Sequence, residues 1–379
     1  MGGRVEKQKT MVKRDVFIAG IGSYSPGEPV PFDKIEEVLG KITDAPPKIM
    51  DRIERMRPIM KEMLGVTQCH YALDPKTRQP TDDNVTMSCK SARKALDAAG
   101  LKATDVDLLM YAGIVMEYIC PPTTVLIQEE LKIPCCAEIS IHSNCTSIYK
   151  ALQVASDLVS LGRYKNALVC TAQLSSSFLR AEYFNQKVLK MPEILLRWFL
   201  SDAAGAVVIT SDPNLGRNRF RVVDTYIDSR GLGLGPDMYC RVGGHRSQPL
   251  EIFENGWHHL AQNFEKVARL APELGKKAFD AMVEKAGLDT RTVKYVLLNV
   301  PTKHISDDAI QILIKEQNLG NAVFYTKLSE RGYPGPCAII HGLEGLMNEY
   351  KLEKGDIVVS IVAESSKWMY GGFILEYVG

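Results

Sequence analysis

Cys145 is the residue of this sequence whose type and setting best suit covalent chemistry. It follows the apolar stretch AEISIH and the small polar residues Ser143 and Asn144, and it opens the amphipathic stretch CTSIYKALQ. We therefore predict a strand that turns into a helix at the cysteine, with Ser143 and Asn144 as N-cap residues. The first turn of a helix has unpaired N–H groups and the positive end of the helix dipole, which stabilise a nucleophilic thiolate. This stretch alone supports equally well a small buried apolar residue, the usual state of a free cysteine.

The nine cysteines do not follow the spacing of a metal site or of a disulfide framework. Their number is odd, Cys135 and Cys136 are adjacent, and no Cys-x-x-Cys pair occurs. We therefore predict no metal and a reduced, cytoplasmic compartment, in which a special cysteine is more often a nucleophile than half of a bridge. The glycine-rich stretch GLGLGP at 231–236 lacks the helix spacing of a dinucleotide site and is interpreted as a loop.

The composition is that of a globular chain of 379 residues with a formal net charge of +1. This length is sufficient for two halves that each bury a core. No basic or acidic block points to nucleic acid or an anionic membrane, and no apolar run approaches the ~20 residues that span a bilayer. The N-terminal stretch lacks the apolar core of a secretory signal. We expect a cytoplasmic protein that binds neither nucleic acid nor a membrane.

The elements that would position Cys145 occur twice along the chain. The stretch at 91–113 predicts a helix, a glycine stop and a buried strand, and the stretch at 276–301 repeats this order, with the triplet Ala-Gly-Leu ending at Leu101 and at Leu288. A second pair of segments, 148–170 and 339–361, each runs from a helix through a charged turn to an apolar strand. The two helices are small and apolar on most sides, which predicts two sheets around a central helix layer.

At this point the sequence resembles the thiolase superfamily and, within it, the ketoacyl-ACP synthase III-like branch. The resemblance covers nearly the whole chain and rests on these segments in this order: MLGVTQCHYALDP, SARKALDAAGL, SNCTSIYKAL, WFLSDAAGAVVIT, YPGPCAIIHGLEGL and SSKWMYGGFILEY. It implies an α/β fold with five layers, α-β-α-β-α, built from two pseudo-symmetric halves at residues 1–213 and 214–379. It also implies a homodimer.

The chemistry that the resemblance implies is an acyl-thioester transfer without a cofactor or a metal. An acyl group would move from CoA or an acyl-carrier protein to Cys145 and then to a second nucleophile. The charge on the thioester oxygen would be stabilised by the backbone amides of Cys145 and Ser365. Ser365 stands where the family has glycines. The usual CoA-binding residues are not matched, so either Arg52, Arg55 and Arg57 replace them or a carrier protein delivers the acyl group.

The sequence departs from the family at the histidine and asparagine used for decarboxylation. The family's histidine directly follows a proline at a strand end, whereas here Thr302 follows Pro301 and His304 comes two residues later. Pro336 stands at the asparagine position and has no side-chain donor. We therefore predict that His304 serves as base from a remodelled loop, and we do not expect standard malonyl elongation.

Glu117 is the second candidate for the base, since some relatives use a glutamate from this region. A hydroxymethylglutaryl-CoA synthase-like Claisen condensation would make Glu117 indispensable. A third hypothesis is a non-catalytic subunit of a heteromeric condensing complex, which the missing asparagine favours and the intact Cys145 segment opposes. The leading hypothesis is an acyltransferase or condensing enzyme of the ketoacyl-ACP synthase III-like type in specialised metabolism.

Overall fold

The computed structural model describes residues 13–241 and 247–379. The strands are β1 Phe17–Tyr24, β2 Val30–Pro31, β3 Gln68–Cys69, β4 Leu108–Gly113, β5 Ala137–His142, β6 Asn166–Gln173, β7 Ala203–Thr210, β8 Phe220–Ser229, β9 Met238–Tyr239, β10 Ala261–Gln262, β11 Val293–Leu298, β12 Val323–Tyr325, β13 Ile357–Glu364 and β14 Met369–Tyr377. The helices are α1 Ile35–Leu39, α2 Pro47–Leu64, α3 Asn84–Ala99, α4 Thr123–Leu131, α5 Ser147–Ser160, α6 Ser176–Leu179, α7 Met191–Ile194, α8 Pro249–Glu254, α9 Phe264–Ala286, α10 Lys303–Gln317, α11 Leu328–Arg331 and α12 Ala338–Glu349.

Ten strands form one sheet whose two ends repeat the same arrangement. The order is β12-β11-β13-β14-β8-β1-β7-β6-β4-β5, so that β5-β4-β6-β7-β1 mirrors β12-β11-β13-β14-β8. In both halves the first three strands pair in parallel and the last two in antiparallel fashion. The strands β1 and β8 join the halves through a short antiparallel ladder. The predicted duplication is therefore confirmed.

The helices lie in three layers around the two halves of the sheet. The helices α3 and α4 pack on the outer face of the first half, and α9 packs on the outer face of the second half. Between them, α5 contacts β4 and β6 as well as β8 and β14, and α12 contacts β1 and β7 as well as β11. Each interface has its own apolar core. The predicted five-layer α-β-α-β-α fold and its buried central helices are confirmed.

Both copies of the Ala-Gly-Leu triplet end a helix in the same way. Gly100 after α3 and Gly287 after α9 have φ values of +71° and +60°, the left-handed conformation that glycine adopts most readily. The division of the chain at residue 213 stays a prediction, because the β1–β8 ladder makes the sheet continuous. Within the described ranges, no helix combines the length and the apolar character needed to cross a bilayer.

Candidate active site

Cys145 lies in the turn that joins β5 to the buried central helix α5. The helix begins at Ser147, so Thr146 is the N-cap residue, and Ser143 and Asn144 precede the cap rather than form it as the sequence predicts. Ser143 and Asn144 lie in the irregular segment between the end of β5 and the first residue of α5. The cysteine is 7% exposed and faces a cavity.

The N-terminus of α5 is occupied by the buried carboxylate of Glu364, the last residue of β13. Glu364 accepts hydrogen bonds from the backbone N–H of Thr146 at 2.9 Å and from the Ser143 hydroxyl at 2.9 Å. The hydroxyls of Thr146 and Ser366 donate to it at 2.5 and 2.6 Å. Burial alone would raise the pKa of Glu364, but the hydrogen bonds from Ser366 and Thr146 hold this pKa below its usual value. A fixed anion therefore takes the place that we predicted for the thiolate.

The thiol of Cys145 is consequently protonated at neutral pH. Burial and, after it, the charge of Glu364 raise the pKa of Cys145 to about 12. The prediction of a resting thiolate stabilised by the helix dipole is therefore wrong. The positive end of the helix is already compensated by a carboxylate, whose charge disfavours a second anion.

Tyr333 is a partner of Cys145 that the sequence analysis missed. Its hydroxyl donates a hydrogen bond to Cys145 Sγ at 3.1 Å. Burial, followed by the proximity of the Cys145 sulfur, raises the pKa of Tyr333 well above its usual value, so the phenol stays neutral. Tyr333 is the first residue of the segment YPGPC between α11 and α12. It lies three residues before Pro336, which stands at the family's asparagine position, and this proximity was the sequence feature that could have identified it.

The cavity at Cys145 is small, with a volume of about 70 Å³, and lies between the ends of several strands. Among the described residues, no Asp, Glu, His, Lys or Arg side chain lines it. Its polar wall instead consists of the hydroxyl of Tyr333 and of four carboxamides: Asn144, Gln173, Gln262 and Asn299. Such a wall can orient and hydrogen-bond a substrate but offers no group that readily removes a proton.

Two of these carboxamides hold a buried oxygen without a protein partner. Gln173 is 3% exposed and donates to Ser175 Oγ at 3.2 Å, and Asn299 is 2% exposed and donates to Tyr149 Oη at 3.4 Å. Gln173 Oε1 and Asn299 Oδ1 accept no hydrogen bond from the described residues. Buried acceptors without a partner are rare because their desolvation costs about 1–3 kcal/mol. Both residues line the cavity at Cys145.

An apolar cavity of about 90 Å³ continues from the first one. It lies between α9, α10 and the ends of β11 and β13, and it shares Ala271, Asn299, Val300, Ile305 and Ala363 with the cavity at Cys145. This arrangement gives the cavity of the nucleophile an apolar extension beside its carboxamide wall.

Ser365 lines the cavity of Cys145, as expected for a residue that faces the nucleophile. Its carbonyl accepts a hydrogen bond from the Asp237 N–H at 3.2 Å, which fixes the turn after β13. The two residues predicted to supply oxyanion donors, Cys145 and Ser365, thus border one space. Their oxyanion role stays a prediction.

His304 does not reach this cavity. Its side chain is 59% exposed on the first turn of α10, 3.7 Å from the Asp308 carboxylate. Thr302 caps the helix by accepting a hydrogen bond from the Ile305 N–H at 3.3 Å, so the chain turns into α10 with Ile305 facing the cavity. Since adjacent helical residues point in different directions, His304 faces solvent. The remodelled loop that we predicted does not deliver the histidine.

Glu117 is also held away from Cys145 of its own chain. Its carboxylate accepts hydrogen bonds from the backbone N–H of Asn84 at 2.9 Å and from the Asn84 side chain at 3.0 Å. These contacts place the glutamate at the N-terminus of α3, where its charge compensates the helix dipole. Its role as a base stays a prediction that the position within one chain does not favour.

Arg52 of α2 borders an opening that adjoins the cavity of Cys145. It lines a wide opening of about 670 Å³, which shares Gln262 with the cavity of the nucleophile. Arg57 forms an ion pair with Glu36 instead. Arg55 donates to the Asp51 carbonyl at 3.2 Å within its own helix.

Comparison with known proteins agrees with this fold. The family model of 3-oxoacyl-[acyl-carrier-protein (ACP)] synthase III matches residues 139–231. A beta-ketoacyl-[acyl-carrier-protein] synthase III of Caldanaerobacter subterraneus subsp. tengcongensis is 22% identical over 327 residues, which are 86% of this chain and 92% of the relative.

Two solved structures with the same fold represent different condensing enzymes. AbyA1, described as a tetronic acid condensing enzyme, has a TM-score of 0.78 and 20% identity, with 95% of this chain and 99% of that chain covered. A variant of OleA from Xanthomonas campestris with bound lauric acid and lauroyl-CoA has a TM-score of 0.72 and 15% identity, with 96% and 99% covered. At these identities the two structures show the fold alone.

The fold, with its two duplicated α/β halves, is that of these solved structures. The chain is similar in sequence to beta-ketoacyl-[acyl-carrier-protein] synthase III enzymes and shares their fold, which supports the predicted resemblance to the ketoacyl-ACP synthase III-like branch of the thiolase superfamily.

Proposed function

We propose that this protein transfers acyl groups through a thioester on Cys145. The observation that carries the proposal is a thiol at the end of a cavity lined by carboxamides and, among the described residues, by no charged side chain. Such a cavity suits a reaction in which the nucleophile and the leaving group are both thiols, because the exchange creates no lasting charge.

In the first step, Cys145 Sγ attacks the carbonyl carbon of an acyl thioester. The developing oxyanion accepts hydrogen bonds from the backbone N–H groups of Cys145 and Ser365. The bond to the donor sulfur then breaks, and the proton of the cysteine thiol leaves with the donor as its free thiol. Tyr333 orients Sγ through its hydroxyl throughout this exchange.

In the second step, an acceptor attacks the acyl-cysteine and its proton restores the thiol of Cys145. The unpartnered oxygens of Gln173 and Asn299 would accept hydrogen bonds from the donor groups of that acceptor. Decarboxylative condensation is not part of the proposal, because Asn299 and Tyr333 supply no equivalent of the family's histidine. The acceptor is an alcohol, an amine or a carbon that is already acidic.

The acyl donor in this proposal is an acyl-CoA or an acyl-carrier protein, and no cofactor is required. The opening beside Arg52 and Gln262 supports entry of a phosphopantetheine arm from this side. A homodimer in the cytoplasm completes the proposal. The alternative with Glu117 as base is not favoured, since that carboxylate is bound to Asn84. A non-catalytic subunit is not favoured either, since a scaffold has no use for a cysteine that faces a cavity.

Intact-mass measurement after incubation with a panel of acyl-CoAs and acyl-carrier proteins tests the proposal. We expect a mass gain of one acyl group, which hydroxylamine removes and which Cys145→Ala abolishes. The exposed Cys135 provides the matched control, and Cys135→Ala should acylate like the wild type. Acylation by no donor, or equal acylation of the Cys145→Ala variant, would contradict the proposal.

A further inference from the structure

A further cavity borders the turn that carries Cys145. Its volume is about 400 Å³, and its walls include Lys150, His142, Ser143, Cys240 and Met369. Asn144 and Met238 line both this space, which we call the lysine cavity, and the cavity of the nucleophile. These two side chains therefore form a shared wall between the two cavities.

That wall is a weak contact between the amide of Asn144 and the sulfur of Met238, 3.4 Å apart. A thioether is a poor hydrogen-bond acceptor, and methionine has three rotatable bonds that let it repack easily. A chain attached to Cys145 can therefore pass into the lysine cavity if Met238 changes rotamer.

The two cavities differ in charge because of the way β13 ends. Ala363 and Ser365 face the uncharged cavity, whereas Glu364 and Ser366 face the lysine cavity. Ala363 and Glu364 end β13 on opposite faces, and Ser365 and Ser366 lie in the turn that follows. The charged group of this segment, the Glu364 carboxylate, therefore lies on the side of the lysine cavity.

Lys150 is the cation of the lysine cavity, and it is half-buried on α5. Its ammonium donates to Ser143 Oγ at 2.8 Å and to the weak acceptor Met369 Sδ at 3.4 Å. No carboxylate of residues 13–241 and 247–379 forms an ion pair with it. Burial lowers the pKa of Lys150, whereas the charge of Glu364 opposes this change. A half-buried lysine commonly has an anionic partner, and here the protein provides none in direct contact.

The nearby Glu364 does not take that role. Its two oxygens already accept four hydrogen bonds, from Ser143, Ser366 and both the N–H and the hydroxyl of Thr146. Its charge is further compensated by the N-terminus of α5. The hydroxyl of Ser143 lies between the two groups, so the third N–H of Lys150 remains for a ligand in the cavity.

We infer that the lysine cavity binds the acyl chain of the substrate and that Lys150 recognises a carboxylate on that chain. This inference rests on the proposed acyl transfer and names its substrate class, an acyl thioester with a second, distal carboxylate. A plain alkyl chain would gain more from the apolar cavity between α9 and α10. The enzyme would thus select acyl groups by charge.

A matched pair of donors tests the inference with the full chain. Hexanoyl-CoA and adipoyl-CoA have the same chain length and differ only in a terminal methyl or carboxylate. The rate of acylation is measured by intact mass, and Cys145→Ala is used to subtract direct acylation of lysines. We expect the wild type to react about 10-fold faster with adipoyl-CoA, the size of one hydrogen bond to a charged group.

The variants Lys150→Met and Lys150→Arg test whether Lys150 causes the preference for adipoyl-CoA. Lys150→Met should prefer hexanoyl-CoA, while Lys150→Arg should keep the preference for adipoyl-CoA. Equal rates or a hexanoyl preference in the wild type would overturn the inference even if Lys150→Met fails to fold. A Lys150→Met variant slowed equally with both donors would also overturn it. No acylation by any donor in the panel would instead contradict the proposed function, so the two failures can be told apart.

Discussion

At the scale of single residues, the chemistry of Cys145 depends on an anion that the protein supplies itself. Glu364 caps the helix that we expected to stabilise a thiolate, and the sulfur is left as a thiol beside Tyr333. This pairing gives the resting enzyme an unreactive sulfur. In the proposed reaction, the sulfur acts as a nucleophile when the carbonyl oxygen of a bound thioester takes up the negative charge.

The substitution Glu364→Gln should make Cys145 more acidic. Removal of the negative charge lowers the pKa of the thiol from its value of about 12, so more thiolate is present at any pH below it. A glutamine retains an oxygen that accepts the Thr146 N–H, so α5 stays capped. We expect the pH profile of iodoacetamide alkylation at Cys145 to shift to lower pH.

The exposed Glu62 provides the control for this experiment, and Glu62→Gln should alkylate with the profile of the wild type. An unchanged profile in Glu364→Gln would show that burial alone sets the acidity of the cysteine.

At the scale of elements, each half ends one helix with a glycine in the left-handed conformation. These helices are α3, which precedes β4, and α9, which precedes β11. Gly100 and Gly287 adopt positive φ, and an added Cβ would meet no atom within 4 Å at either position. The cost of a side chain there is therefore purely conformational.

We expect Gly100→Ala and Gly287→Ala each to lower the free energy of unfolding by about 1–2 kcal/mol, the cost of left-handed backbone for an L-residue. Gly275 in α9 is the counterpart with ordinary helical backbone and open space. Gly275→Ala should raise stability by about 0.5–1 kcal/mol. The free energy of unfolding of all three variants is measured by urea denaturation. Equal changes at the three sites would contradict the role given to positive φ.

At the scale of the whole molecule, the central layer depends on two equivalent close approaches. A Cβ at Gly205 of β7 would lie 2.6 Å from Ile340 of α12, and a Cβ at Gly371 of β14 would lie 2.7 Å from Tyr149 of α5. The strands are symmetric partners, and so are the helices. Tyr149 Oη, however, also accepts a hydrogen bond at 3.4 Å from the side chain of Asn299, which lines the cavity of Cys145.

Both Gly205→Ala and Gly371→Ala should lower the free energy of unfolding by about 1–3 kcal/mol through overpacking. Gly371→Ala should in addition slow transfer from the acyl-cysteine, because a shifted Tyr149 moves Asn299. Thermal unfolding and single-turnover mass measurements separate the two effects. If both variants lose the same activity, Tyr149 does not position the cavity.

The sequence by itself determined the architecture, because duplicated helix-glycine-strand patterns and apolar strands specify local structure and burial wherever they occur. It also determined that Cys145 lies between a strand and a central helix. Only the tertiary structure decided what surrounds the sulfur. Tyr333 donates to the sulfur from a segment 188 residues away along the chain, and Glu364 accepts from the Thr146 N–H beside it from 218 residues away, so these contacts depend on how the layers pack. The same packing turns His304 to solvent and ties Glu117 to α3, which no spacing in the sequence indicated.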